Sequence, residues 1–177
     1  MVRIRVEKLT MAMNEMGKRE GDKGVGEFPR EFADTKSEIN YLVLANNNID
    51  TIRNAALKNF HSLQALDCAG NNLKDLPNGF NTTNLPNLSG VEFSYNEFRE
   101  FPENVLNVAR MSQLLMSSQG YYRDEAQTKW VRSMTKWPAY LHEHTGLVVV
   151  NLSGNDFRSV TNFPSNLNSL DVSNNPN

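Results

Sequence analysis

The sequence predicts a solenoid of stacked strand–turn repeats, and three observations predict it. Seven times along the 177 residues an apolar ladder ends in an amide: hydrophobic, two residues, hydrophobic, one residue, hydrophobic, two residues, then Asn or Gln. Within each copy the apolar residues alternate as they would in a strand with one face buried, as in Leu63-Gln64-Ala65-Leu66-Asp67-Cys68. The copies also recur along the whole chain, beginning near residues 6, 39, 63, 88, 111, 147 and 167. No single copy can bury its own apolar face; only stacked neighbours can.

In chain order, Val6, Leu9, Met11 and Asn14 form the first ladder, and Ile39, Leu42, Leu44 and Asn47 the second, with Ile49 two residues on. Leu63, Leu66, Cys68 and Asn71 follow with Leu73, then Leu88, Val91, Phe93 and Asn96 with Phe98. The fifth copy, Met111, Leu114, Met116, Gln119 and Tyr121, has Gln in place of Asn. Leu147, Val150, Leu152, Asn155 and Phe157 make the sixth, and Leu167, Leu170, Val172 and Asn175 the last.

These residues resemble the leucine-rich repeat family, whose core reads L-x-x-L-x-L-x-x-N-x-L over about 20–29 residues. The resemblance covers nearly the whole chain. It implies one domain over 1–177: an α/β solenoid wound as a right-handed superhelix, a horseshoe arc of about seven repeats. A short parallel β-sheet would line the concave face, with irregular connections and short helices on the convex side. It also implies a non-catalytic module that binds a protein partner. Bacterial members resembling this irregular, Asn-rich style are often secreted or surface-attached, which implies an extracytoplasmic or cell-surface location.

Each ladder amide has a structural use. After the strand the chain turns sharply, and the backbone groups inside the turn need partners. An inward Asn offers two donors and an acceptor on a short stem. Asn14, Asn47, Asn71, Asn96, Asn155 and Asn175 are therefore expected to stack as a ladder, with a locally distorted turn at the longer Gln119. Cys68 is the single cysteine, so no internal disulfide can form, and its ladder position predicts a buried, inert thiol.

Between ladders, Phe28-Pro29, Leu76-Pro77, Phe101-Pro102 and Phe163-Pro164 predict irregular connections, because proline lacks a donor and fixes φ. Ile52 to Phe60 can make a short helix with Ile52, Ala56 and Phe60 on one face.

Two breaks lengthen the period, one over 17–38 and one over 121–146. The first opens with the charged, Gly-rich stretch 17–26, whose composition predicts a surface loop. It lacks the Gly-Lys-Ser/Thr ending of a phosphate loop. The second holds both Trp, three of the five Tyr and two of the three His. Asp124 is expected to cap a helix from Glu125 to Met134, with Pro138 stopping it. Trp130, Val131, Met134 and Trp137 are expected to pack the enlarged repeat, leaving Tyr122, Arg123 and Tyr140 as exposed candidate contacts. In His142-Glu143-His144 the histidines are two apart, follow a proline and have no recognisable third ligand. A solvated loop is expected there, with adventitious metal binding as the alternative. His61 has no recognisable nucleophile or orienting acid beside it. Nothing points to an enzyme, and no cofactor is implied.

A net charge of −2 gives no basic footprint for nucleic acid, and no apolar run approaches the length of a membrane span. Residues 1–6 lack the features of a signal peptide. Strand residues alternating with the ladder point outward. One row reads Lys8, Tyr41, Ala65, Gly90, Gln113, Val149 and Ser169; a second reads Thr10, Val43, Asp67, Glu92, Leu115, Asn151 and Asp171. From these rows Tyr41, Val43, Asp67, Glu92, Gln113, Leu115, Asn151 and Asp171 are the candidate contacts for a protein ligand. No polar cap follows Asn175, so the end of the arc is open to self-association or continuation. The alternative function is a spacer or stalk segment of a larger cell-surface protein.

Overall fold

The computed structural model describes residues 8–11, 26–27, 38–120, 122–123, 130–131 and 134–176. Asn14 and Tyr121, with most of the Gly-rich stretch and Phe28-Pro29, lie outside the described residues.

Seven three-residue strands form one parallel sheet in which spatial order follows chain order. They are β1 (Lys8–Thr10), β3 (Tyr41–Val43), β5 (Ala65–Asp67), β6 (Gly90–Glu92), β7 (Gln113–Leu115), β10 (Val149–Asn151) and β11 (Ser169–Asp171). The register matches the repeat alignment residue for residue. Leu9, Leu42, Leu66, Val91, Leu114, Val150 and Leu170 pair across the sheet as its inward row. Five of these seven are buried, while Leu9 and Leu170 on the outer strands are partly buried. Each strand thus completes its neighbour's apolar face, the condition that makes stacking obligatory.

A second layer lies beyond the turns, where Ile49, Leu73, Phe98 and Phe157, two residues past each amide, are buried. Phe93 packs between Phe80 and Phe98 with both ring-centroid separations at 5.9 Å, tilted as aromatic quadrupoles favour. On the return side three short 3₁₀ turns, Asn54–Leu57, Glu103–Asn107 and Leu141–Glu143, supply Leu57, Val105 and Leu141 to the core. The expected helix over Ile52–Phe60 is this first 3₁₀ turn, with Ile52, Ala56 and Phe60 buried as its pattern requires.

The amides form a two-way bracket. Asn96 Nδ2 donates to its own repeat's Phe93 carbonyl and to Cys68 of the preceding repeat, both at 2.9 Å, while its Oδ1 accepts the Leu73 N–H at 3.0 Å. Asn71 repeats this with Cys68, Leu44 and Ile49, and Asn175 with Val172, Leu152 and Phe157. Asn47 and Asn155 make the equivalent pairs of donations. One short side chain thereby satisfies turn groups of two successive repeats, away from water.

The residue before each described amide is left-handed: Asn46, Gly70, Tyr95, Ser118, Gly154 and Asn174 have φ between 54° and 67°. A Cβ on Gly70 would press on the end of the Asn46 side chain, which would have to move, and the left-handed φ favours glycine there.

Four expectations change. Residues Trp130–Val131, inside the expected Glu125–Met134 helix, are instead strand β9, antiparallel to β8 (Tyr122–Arg123). β-branched and aromatic residues at this point favour an extended pair over a helix. Gly26, the end of the expected loop, belongs to β2 (Gly26–Glu27), which runs parallel to β4 (Ile49–Thr51). The second irregular stretch ends earlier than residue 146. Asp156 N–H donates to the Met134 carbonyl, as Asn72 does to Ile49 and Glu97 to Leu73. Met134 is fully buried and stands 13 residues before Leu147, as Phe98 stands 13 before Met111. Met134 therefore fills the place assigned to Tyr121, and the chain from 134 onward is an ordinary return segment.

Last, His142-Glu143-His144 is solvated only in part: His142 and Glu143 are exposed, whereas His144 is half-buried. Leu141–Glu143 is a 3₁₀ turn, and His144 takes the place three residues before the ladder that Phe60, Leu85 and Val108 hold in other repeats. Its Nε2 lies 3.2 Å from the Val108 carbonyl oxygen, which ties the two repeats together. His142 is exposed, with Nδ1 3.0 Å from the Ala139 carbonyl oxygen.

Candidate functional site

A shallow groove of about 390 Å³ lies on the outward face of strands β1, β3, β5, β6 and β7. Tyr41, Val43, Asp67, Glu92, Gln113 and Leu115 all line it, together with Lys8, Ala65 and Gly90. The register places these side chains side by side: Val43, Asp67, Glu92 and Leu115 occupy one row, and Tyr41, Ala65, Gly90 and Gln113 the other. Asn151 and Asp171 continue the first row on β10 and β11 without lining the groove. The three acids of this row thus fall as an adjacent pair, Asp67 and Glu92, and a separate Asp171.

Three features shape the groove. Ala65 and Gly90 leave a hollow between Tyr41, 45% exposed, and Gln113, whose Oε1 would be 3.4 Å from a Cβ at Gly90. Val43 and Leu115 provide apolar walls on either side of the carboxylates. The carboxylates are held in place by their own turns: Asp67 Oδ1 accepts the Ala69 N–H at 3.0 Å, and Glu92 Oε1 the Ser94 N–H at 2.8 Å. The same bond from residue i to i+2 recurs at Asn151 and Asp171, both to a serine. This row therefore has a folding task, capping the turn after each strand, that spacing alone does not reveal.

Environment separates the acids of the row. Burial pushes Glu92 above the ordinary carboxylate range; its hydrogen bonds with Ser94 oppose this, and the neighbouring Asp67 charge adds to it. Asp171 is held below that range by its hydrogen bonds with Ser173. Among the described residues neither Asp67 nor Glu92 has an ion pair; the lysine bridges, Lys74–Glu97 at 3.6 Å and Lys136–Glu100 at 3.8 Å, lie elsewhere.

Of the other candidates, Tyr140 is 61% exposed and lies outside the groove. Tyr122 and Arg123 sit in β8, and their side chains, like those of Trp130 and Val131, lie outside the described residues. Trp137 is partly buried and meets Phe157 and Phe163 edge-on at 5.4 and 5.7 Å, a packing role. Tyr95 escaped the sequence reading. It holds a bulky ring in the left-handed conformation with 62% of its surface exposed. Its place before a ladder Asn, where Gly70 and Gly154 stand in other repeats, was the available signal. Cys68 is fully buried, and burial together with the Asp67 charge pushes its thiol up, which removes it from reactive chemistry. Among the described residues no three His, Cys, Asp or Glu gather as a metal site, and no helix is long and apolar enough to cross a membrane.

Comparison with solved structures agrees with the parallel solenoid. A leucine-rich repeat protein from Bacteroides thetaiotaomicron superimposes over 97% of this chain with a TM-score of 0.81 and 29% identity. This chain is a leucine-rich repeat solenoid. A Leptospira interrogans leucine-rich repeat protein matches over 78% at 23% identity and TM-score 0.55. A chain of the Drosophila Toll–Spatzle complex matches over 84% at 22% identity and TM-score 0.56, and these two show the fold alone. The chain spans 20%, 38% and 22% of these three neighbours. No protein-family description and no curated protein sequence matches it.

Proposed function

We propose that this leucine-rich repeat chain is a non-catalytic protein-binding module that holds its partner on the concave face of the seven-stranded sheet. The observation that carries the reading is convergence: six outward residues from four strands line one groove, its two carboxylates already fixed by their turns. A surface whose polar groups are pre-positioned binds with less loss of conformational freedom. The fold suits a protein partner, and one structural neighbour comes from the Toll–Spatzle complex. Exposed Tyr140 and the β8 residues Tyr122 and Arg123 offer a second contact at the irregular stretch. An extracytoplasmic or cell-surface setting belongs to this reading through the family resemblance.

The test is affinity capture from extracts of the producing cells with three baits: wild type, Asp67→Lys plus Glu92→Lys, and Lys58→Glu on the exposed return side. A partner retained by wild type and Lys58→Glu but lost by the double variant is the expected result. Equal recovery on all three baits overturns the concave-face reading.

A further inference from the structure

Resting on that reading, we infer that the groove accepts an extended segment of a partner protein that places a Lys or Arg at Asp67 and Glu92, two residues from an apolar side chain seated over Ala65 and Gly90.

The sheet's own geometry sets this chemistry. Asp67 and Glu92 pair in register on adjacent strands, so their Cα atoms are about 4.8 Å apart, and one cation between them meets both carboxylates. Each carboxylate keeps a backbone N–H on one oxygen, which fixes its direction before a ligand arrives. Among the described residues no ion pair neutralises either group. Bringing two like charges together at a half-buried site is unfavourable, and a cation relieves it. Val43 and Leu115 flank the pair with apolar side chains, which lowers the local dielectric around a seated cation relative to open solvent. A guanidinium, planar and weakly hydrated, suits such walls particularly well.

The spacing follows from the strands beneath. Ala65 and Asp67 are two residues apart on β5, and Gly90 and Glu92 two apart on β6, so hollow and carboxylates are separated by about 7 Å. An extended segment lying along the strands presents side chains i and i+2 at that same interval. Its apolar side chain enters between Tyr41 and Gln113, where Ala65 and Gly90 carry the smallest groups of the row and the flexible Gln113 side chain can move aside. Lys8 lines the groove near Tyr41, so a segment with a second cation at that end is disfavoured.

A random peptide library displayed on phage, panned against the immobilised full chain, tests this. The expected consensus is an apolar residue, any residue, then Lys or Arg, in either direction. Synthetic peptides of that consensus should bind Asp67→Asn plus Glu92→Gln at least about tenfold more weakly than wild type, and bind less well in high salt. Those amides keep the turn-capping oxygen, as Asn151 does natively, so the fold is retained; circular dichroism and thermal melting verify it. A different consensus, an empty selection, or unchanged affinity for the double amide variant overturns the inference. Gly90→Leu separates this failure from that of the broader reading. It fills the hollow, and its Cβ meets only the flexible Gln113 side chain, at 3.4 and 3.7 Å. If Gly90→Leu blocks the selected peptides while the amide variant does not, concave binding stands and the cation rule falls. If neither blocks them, both fall.

Discussion

The Asn96 and Gln119 repeats are neighbours built from the same ladder, yet one closes a regular turn and the other shifts its turn's hydrogen bonds. Asn96 brackets two repeats and accepts the Leu73 N–H. Gln119 reaches back to the Phe93 carbonyl at 2.8 Å, but its buried Oε1 has no hydrogen-bond partner, and its own N–H goes to Asn155 Oδ1. The next residue shifts too: Gly120 N–H bonds the Asn96 carbonyl, where a regular turn would use the residue two further on. Gly120 takes a φ of 63°, a second left-handed residue that the other described turns lack after their amide. The extra methylene preserves the stacking bond while the turn it should complete opens. The buried place two residues past a regular amide is taken in this repeat by Met134.

Breaking the regular member gives the largest effect. Asn96→Ala leaves buried donors and acceptors in two repeats unpaired, and urea unfolding should show a loss of at least about 3 kcal/mol. Gln119→Ala, which removes an amide that is already incompletely used, should lose less.

Removing residues 121–133 sharpens the comparison. Residues Gln119-Gly120-Met134, joined directly, match Asn96-Glu97-Phe98 in position. Deleting 121–133 should therefore yield a folded solenoid, and in that background Gln119→Asn should stabilise by about 1 kcal/mol. In the full chain the same substitution should destabilise by a similar amount, since the shorter amide loses the Phe93 carbonyl. Equal effects in both backgrounds would refute the link between Gln119 and the lengthened repeat.

The left-handed row offers a smaller test. Tyr95→Gly should raise stability by up to about 1 kcal/mol by relieving a bulky residue at φ 59°, whereas Ser118→Gly should gain less. If Tyr95 is a contact, partner binding falls as stability rises, the separation expected for strain kept at a functional position.

The smallest effect is the pH dependence of Glu92. Its folded pKa is raised, so its contribution is fully present below its unfolded value near 4.5 and is lost as pH rises through the folded value. Glu92→Gln should thus be relatively more stabilising at pH 7 than at pH 4 in thermal melts. Asp171, shifted downward, should show the opposite sense on Asp171→Asn.

The ladder residues were legible because burial and strand period impose them on the chain itself. Leu42, Leu66, Val91, Leu114 and Val150 had to align once the copies were counted. The outward rows followed from the same alternation, which is why Tyr41, Asp67, Glu92 and Leu115 could be named before any groove was seen. The helix expected over 125–134 is contradicted at Trp130–Val131, because a capping residue and an apolar pattern carry only local preferences, and pairing with β8 overrode them there. His144 was misread for a related reason. Spacing between two histidines says nothing about a carbonyl 36 residues earlier.

The repeat, its strand register and its amide brackets were therefore determined by the sequence alone, because each copy must bury the same face against the next. Tertiary structure alone decided where the irregular stretch rejoins the stack, which acids become neighbours, and that the outward carboxylates also cap their turns. These depend on which backbone groups of distant repeats fall within hydrogen-bond reach, and such distances exist only once the repeats are stacked.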